Sequence, residues 1–418
     1  MVPNLLKPSQ LGEIPKDWKR VKLSDVMKVR QGLQIAISER LISPTSTSKE
    51  YITIQSIKKT DQVREYVEAP SQRVICSKDD VLMTRTGNTG IVVTGVEGAF
   101  HNNFFLMDFD KNRIDTTFLV NYLRSPRIQH LILTKAGAST IPDLNHKDFY
   151  SIEFPLAPIL EQQKIAKILS TWDRAISTTE RLIDNSTQQK KALMQQLLTG
   201  KKRLLDESGK RFEGEWEEVT LGECINHTGG TALEKHVKDG ASHHFISIGN
   251  YSVDGRYIDK SQRVEFNDKT KTKLLNKNDL VMVLNDKTKT GDIIGSTILI
   301  DEDNKYIYNQ RSERIVCSEG TDVLFFWFLL NSTPVRADVF GRSQGGTQIY
   351  VNFGALKSIV LYLPPFEEQQ KIATVLTNAD KEIELLEQQL VDLQQEKKAL
   401  MQVLLTGKKR VVVSGEEV

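Results

Sequence analysis

From Ile372 the apolar positions fall at Leu376, Ala379, Ile383, Leu386, Leu390, Leu393, Leu400 and Leu404, in steps of four and three broken at Lys397. That alternation keeps one stripe on one helix face and has the period of a coiled-coil seam. A second stripe runs through Ile165, Leu169, Trp172, Ile176, Ile183, Leu193 and Leu197, with polar breaks at Thr179, Ser186 and Lys190. Pro158 precedes one stripe and Pro364-Pro365 the other, while Gly200 and Gly407 follow them, as start and stop signals do. Two long helices are predicted, the first of about 57 Å over residues 161–198 at 1.5 Å per residue. The remaining segments hold short β-rich runs, Tyr51-Ile-Thr-Ile-Gln-Ser-Ile57, Phe245-Ile-Ser-Ile248 and 293–300, and helical stretches at 117–125 and 322–332. Each half therefore reads as a mixed α+β domain.

The chain repeats itself. Glu161-Gln-Gln-Lys-Ile-Ala166 returns as Glu368-Gln-Gln-Lys-Ile-Ala373, a shift of 368 − 161 = 207, and Leu197-Leu-Thr-Gly200 returns as Leu404-Leu-Thr-Gly407 at the same shift. Over 161–203, 24 of 43 positions are identical, too many for coincidence. The halves before the helices are related more faintly: Trp18, Val21, Leu23 and Gly32 match Trp216, Val219, Leu221 and Gly230, and Thr140, Leu144, Asn145 and Ile152 match Thr347, Val351, Asn352 and Ile359. The expected layout is a globular domain over 1–155, a helix over 156–203, a related domain over 204–362, a second helix over 363–410 and a tail over 411–418. Two stripes on one chain most simply bury each other as an antiparallel intramolecular coiled coil, the alternative being a coiled coil with another protein. Lys190-Lys191 and Lys397-Lys398 each put one charge on the seam, where it must snorkel or find a carboxylate, a device for register control.

Composition narrows the function classes. Apolar residues make up 39% and charged residues 26%, which excludes a disordered chain, and the longest apolar run, 323–330, is far too short to span a membrane. The first ten residues do not resemble a secretory signal, so a cytoplasmic location is expected. Cys76, Cys224 and Cys317 are too few and too scattered for a disulfide framework, and His227, His236, His243 and His244 lack metal-site spacing. Net charge is +2, which leaves nucleic-acid binding open, since clustering matters more than the sum. An intrinsic methyltransferase or nuclease finds little support. Leu363-Pro-Pro-Phe366 lacks the leading Asn or Asp of an amino-methyltransferase motif and reads as a helix start. No Gly-rich cofactor turn is present, Gly87-Asn-Thr-Gly90 lacks the Lys-Ser/Thr of a phosphate loop, and Asp303-Asn-Lys305 has no well-placed carboxylate partner. A protein-only scaffold is the other alternative.

The order domain, helix, related domain, helix, with Leu-x-Pro-x-x-Glu-Gln-Gln-Lys-Ile-Ala opening each helix and Leu-Leu-Thr-Gly closing it, resembles the specificity subunit of a type I restriction-modification system over essentially the whole chain. The resemblance implies a non-catalytic subunit whose two target recognition domains each read one half of a split DNA sequence, with the helices as spacer. It also implies docking of methyltransferase subunits, two by the family pattern, which carry S-adenosylmethionine, and of translocating restriction subunits. No cofactor is expected on this chain.

Candidate DNA contacts follow from residue chemistry. Thr84-Arg-Thr-Gly-Asn-Thr-Gly90 offers Arg85 for guanine or phosphate beside Thr86, Asn88 and Thr89 on a flexible backbone, and it resembles a loop common in the family. Its expected counterpart is Asn285-Asp-Lys-Thr-Lys-Thr-Gly291, where Asn285 suits adenine and Lys287 and Lys289 replace the single arginine; Lys269, Lys271 and Lys273 lie upstream. Thr140, in Ala138-Ser-Thr-Ile-Pro-Asp143, and Thr347 with Gln348, in Gly345-Gly-Thr-Gln-Ile-Tyr350, sit at equivalent places. Because unlike half-sites call for unlike readers, these threonines suit phosphate contact or bracing rather than base readout. For Gln162, Gln163 and Lys164 and their copies Gln369, Gln370 and Lys371, the expectation is a methyltransferase docking face, with a solvated face as the alternative.

Overall fold

The computed structural model describes residues 6–9, 12–58, 63–137 and 140–412; Ala138, Ser139 and positions 413–418 of the tail lie outside the described residues. The chain forms two compact units, residues 1–180 with 388–418, and residues 181–387. Each is a mixed α+β body completed by segments of both long helices.

In the first unit a four-stranded sheet runs in the order Met27–Gln31, Phe104–Phe109, Val81–Thr84, Val92–Val93, and a second runs Tyr66–Val67, Lys49–Ile52, Gly98–Phe100, Ile75–Cys76. The second unit repeats both: Ile225–Gly229, Ser312–Cys317, Leu280–Val283, Thr297–Leu299, and a three-stranded sheet of Arg263–Val264, His243–Ile246 and Tyr306–Tyr308. The faint sequence matches mark this shared framework. Val21 pairs with Phe154 and Val219 with Leu361, while the amides of Leu23 and Leu221 donate to the carbonyls of Ile152 and Ile359 at 2.9 and 2.8 Å. Gly32 and Gly230 lie where backbone meets backbone: an added Cβ would stand 2.0 Å from the Phe100 carbonyl oxygen in one unit and 1.9 Å from that of Asn309 in the other. Only glycine fits such an approach.

Some runs break where strand propensity loses to local turns. The 51–57 run splits into a strand, Lys49–Ile52, and a helical turn, Ile54–Lys58; the 293–300 run is strand only at Thr297–Leu299, because Gly295 turns the chain at φ +73°. The helical readings at 117–125 and 322–332 correspond to Thr116–Arg124 and Val323–Leu330, capped by Asp115 and Asp322, whose carboxylates accept from the amides of Phe118 and Phe325 at 2.8 Å.

The long helices are Ile159–Leu197 and Phe366–Leu404, and the latter starts straight after Pro364-Pro365. In the first unit Ile165, Ala166 and Leu169 join Met401, Leu404 and Leu405 in one core with Trp18, Phe118 and Phe154. In the second, Leu197 and Leu198 join Ile372, Ala373, Leu376, Phe325 and Phe326. The start of one helix thus lies against the end of the other, an antiparallel pairing inside each unit. Ile165, Leu169, Ile372, Leu376 and Ile383 are buried, and Trp172, Ile176, Leu386, Leu390 and Leu393 are partly buried. The seam lysines find carboxylates at equivalent levels: Lys190 bonds Asp380 at 2.6 Å and Lys397 bonds Asp173.

At each helix start a buried carboxylate is held by an arginine from beyond the other helix's end. Glu161, 3% exposed, accepts from Arg410 at 2.7 and 3.0 Å and from the Trp18 indole at 2.9 Å, and Arg410 also bonds Asp17. Glu368, fully buried, takes both of its bonds from Arg203 at 2.6 Å. The neighbouring glutamines are equally committed, which corrects the docking expectation for two of them. Gln162 accepts from the Asp115 amide and donates to the carbonyls of Arg113 and Ala157, and Gln369 repeats this with Asp322, Gly320 and Pro364. Their side chains cap the loop ahead of a packed helix, so no partner protein can reach them; Gln163, Lys164 and Gln370 are exposed and Lys371 is partly so.

Substituting Arg203→Ala leaves Glu368 buried and unpaired, with an expected loss of about 3–5 kcal/mol in urea unfolding. The double variant Arg203→Met with Glu368→Met is expected to recover most of that loss. If the single variant unfolds like the wild type, the buried pair does not hold the helix ends.

Candidate nucleic-acid interface

The first-unit loop follows the strand Val81–Thr84 and turns through Gly87 and Gly90, both at positive φ. Its arginine faces inward. One terminal nitrogen of Arg85 lies 2.9 Å from both carboxylate oxygens of Asp143, the guanidinium stacks 5.4 Å from the Phe105 ring, and the side chain is 16% exposed. Thr86 bonds the same carboxylate, and Thr89, buried, donates to the carbonyls of Arg85 and Pro142. The expectation that Arg85 grips guanine or phosphate is therefore corrected: an acidic partner already neutralises it, and with Thr86 and Thr89 it pins the loop to the 142–143 segment. Asn88 is the exposed member of the set, and Thr140 is exposed nearby in sequence to Asp143.

In the second unit the backbone fixes the true correspondence. Leu144 donates to the Arg85 carbonyl at 2.8 Å and Val351 to that of Leu284 at 2.9 Å, so Leu284, not a lysine, occupies the arginine's place. Asn285 is partly buried in a strand pair with Tyr350, and Lys287 and Lys289 are exposed in the loop beyond. That loop is anchored by two groups outside the sequence reading's candidate set. The Asp286 carboxylate, 4% exposed, accepts from the amides of Thr288 and Ile293 at 2.8 and 2.9 Å. Burial alone would raise its pKa; the bonds from Ile293 and Thr288 outweigh burial and hold it below the ordinary value. Arg336 donates to the carbonyls of Ile294, Val253 and Asp292, and burial pulls its pKa below the usual guanidinium value, opposed by Asp286. Nothing in the periodicity marks Arg336, since it contacts carbonyls 42, 83 and 44 residues away.

Lys287 and Gln348 come together on one open groove of about 530 Å³, together with Gln262, Gln310 and Arg311. Thr347 is exposed next to Gln348, and Lys289 does not line the groove. Lys273 is corrected to an internal role: 9% exposed, it donates to the Gly229 carbonyl at 2.6 Å, whereas Lys269 and Lys271 are exposed. The histidines serve packing and local pairing, His227 with Glu313 at 2.6 Å and His243 stacked on Phe266. Among the described residues no group of three or more His, Cys, Asp or Glu is placed to hold a metal, and no helix is long and apolar enough to cross a membrane.

The surfaces so assembled are polar loops on rigid sheets with exposed lysine, arginine and amide groups, chemistry suited to phosphates and base edges. Comparison with known proteins agrees. The family model described as type I restriction modification DNA specificity domain matches residues 15–185 and 213–395. The type I restriction enzyme MjaVIII specificity subunit of Methanocaldococcus jannaschii is 27% identical over 412 residues, covering 95% of this chain and 94% of that protein. The putative MjaX specificity subunit of the same organism is 28% identical, covering 97% and 96%. In fold, the chain is similar to the crystal structure of a type I restriction-modification S subunit from M. genitalium, with a TM-score of 0.57 at 16% identity and 97% coverage of both chains.

Asp286→Asn tests the loop anchor. At neutral pH the variant is expected to lose about 1.5–3 kcal/mol, the usual worth of hydrogen bonds to a charged group. Because the folded-state pKa lies below the ordinary 3.8, the wild type's advantage is complete above that value and is lost as pH falls through the folded one. Urea midpoints of the two proteins should therefore converge in acid; a gap that stays constant with pH would mean the charge is not what anchors the loop.

Proposed function

The chain belongs to the type I restriction modification DNA specificity domain family, and from that premise we propose how it works: its two units each read one half of a bipartite, asymmetric double-stranded DNA target. As a specificity subunit it is non-catalytic, and chemistry lies with other subunits. The observation that carries the proposal is the residue-level repetition of one framework with different loops: the strand orders and the buried Glu–Arg pairs recur, whereas Arg85 with Asp143 gives way to Leu284 with a lysine-bearing loop. A shared scaffold with unlike loops suits unlike half-sites.

In this reading residues 1–155 and 204–362 are the recognition domains, 156–203 and 363–410 the spacer helices, and 411–418 the tail. Exposed Lys287 and Lys289 supply phosphate contacts with salt-dependent affinity, joined by Thr140 and Thr347. Asn88, Asn285 and Gln348 are candidates for base edges. The helices set the separation of the half-sites, and their exposed faces, including Gln163, Lys164, Gln370 and Lys371, dock methyltransferase subunits. Those partners carry S-adenosylmethionine and flip an adenine of each half-site into their own pockets. Restriction subunits join the same assembly, in the cytoplasm.

Methylome sequencing of host DNA, with and without this chain and with its methyltransferase co-expressed, tests the proposal. A split asymmetric motif methylated on adenine in both halves is expected only when both chains are present; methylation by this chain alone, or no motif with an active partner, would refute it. Removing one heptad from each long helix shortens the spacer by about 10 Å, roughly three base pairs of B-DNA. The same two half-sequences should then be methylated at a shorter spacing, and exchange of residues 12–155 should change one half-sequence alone.

A further inference from the structure

One turn occupies the same place in both units and carries different chemistry in each. In the first unit His101-Asn-Asn103 leads from the strand Gly98–Phe100 of the second sheet into Phe104–Phe109 of the main sheet; in the second unit Asn309-Gln-Arg311 leads from Tyr306–Tyr308 into Ser312–Cys317. The same two backbone bonds fix both. The amides of Asn102 and Gln310 donate to the carbonyls of Leu33 and Thr231 at 2.9 and 2.7 Å, and the carbonyls of Asn103 and Arg311 accept from the amides of Arg85 and Leu284 at 2.7 and 2.8 Å. These two bonds place the turn alike in both units, while its side chains change from Asn102–Asn103 to Gln310–Arg311 and only Arg311 takes a left-handed backbone.

Arg311 is unusual in its backbone as well. It stands at φ +72°, a left-handed conformation in which a side chain other than glycine is costly, and it is exposed. Strain of this kind at an exposed position points to use. Gln310 and Arg311 line the groove that Lys287, Gln348 and Glu234 also line, and among the described residues no carboxylate forms a salt bridge with Arg311. Glu234 takes its hydrogen bonds from Asn309 at 2.8 Å and Gln310 at 3.0 Å and feels Arg311 only as a nearby positive charge, which leaves the guanidinium's own hydrogen-bond donors to an outside acceptor. In the first unit the turn is less open: Asn102 and Asn103 are partly buried, and Asn102 donates to Gln34 at 2.9 Å while its side-chain oxygen is buried with no hydrogen-bond partner among the described residues.

We propose that this turn is the principal base-reading element of the second unit, with Arg311 taking the O6 and N7 acceptors of a guanine in its half-site. The assignment rests on the reading of the units as DNA-recognition domains. An arginine fork matches the guanine edge in the major groove. Lys287, beside Arg311, supplies phosphate contact and carries no base identity.

The test is binding of the complex with its methyltransferase to DNA libraries randomised in one half-site at a time, at several salt concentrations. Arg311→Ala is expected to relax one guanine in a single half-site by about 5- to 150-fold, leaving the other half unchanged. Arg311→Gly, which suits the left-handed backbone, should give the same relaxation in a protein at least as stable, so misfolding is separable from lost readout. Lys287→Ala should weaken all sequences alike and flatten the salt dependence. If the wild-type complex selects a split motif and both Arg311 variants keep it unchanged, the turn assignment is overturned while DNA recognition stands. If the wild-type complex selects nothing, the recognition reading fails and the assignment with it.

Discussion

The buried carboxylate at the start of each long helix is the constraint on which the rest of each unit depends. Taking a glutamate out of water costs several kcal/mol unless its oxygens are matched by close, oriented donors. Glu161 and Glu368 obtain those donors from Arg410 and Arg203, which follow the glycine that ends the opposite helix. Gly407 and Gly200 turn the chain at φ +65° and +68° and lie against the rings of Trp18 and Trp216. Helix start, helix end and the strand that follows the tryptophan, Lys19–Lys22 in one unit and Glu217–Thr220 in the other, are therefore tied by one cluster. The copies are not identical: the Trp18 indole donates to Glu161, whereas the Trp216 nitrogen is buried without a partner and its ring lies 6.0 Å from the Arg203 guanidinium.

This cluster explains which parts of the chain resist change and which are free. In the motif strings at 161–166 and 197–203 the buried residues meet partners of the same kind in both units: glutamate meets arginine, Gln162 meets the loop ahead of a packed helix, and leucines meet the shared core, while Gln163, Lys164, Lys201 and Lys202 are exposed. A substitution on one side would strand a buried polar group on the other. The loops at 85–90 and 285–291 meet partners that the two units do not share, so they diverge without cost to the scaffold. Asp143 holds one and Asp286 with Arg336 the other, two unrelated solutions to the same need for a loop of defined shape.

The helices, their antiparallel pairing and the α+β character of both units were legible in the sequence, because a stripe of period three and four and a 207-residue repeat are written in local composition. The seam lysines were legible too, as charges in want of a carboxylate. What escaped was set by long-range partners. Gln162 looks like a surface residue on a helix face, yet it is buried by a loop from residues 113–115. Arg85 looks free in a Gly-rich loop, yet Asp143 neutralises it from 58 residues away. The alignment of the two loops failed by two positions for the same reason, since it rests on backbone bonds from Leu144 and Val351 and not on side-chain type.

That failure also shows where recognition chemistry is best sought. Side chains that repeat between the units, such as Thr140 and Thr347, are shared by two readers that must differ, and side chains such as Arg85 already have their charge paired by an internal acid. A reading residue should be exposed, differ between units and yet sit on backbone that does not differ, because only a fixed backbone can present a new side chain to the same place on the duplex. Arg311 comes nearest to this: it is exposed, its counterpart Asn103 is a different side chain, and matched amide and carbonyl bonds fix the ends of the turn alike in both units, although only Arg311 takes the left-handed backbone. Its sequence gave no periodic signal, for a two-residue turn has none, and a positive φ at arginine is visible only once the chain is folded.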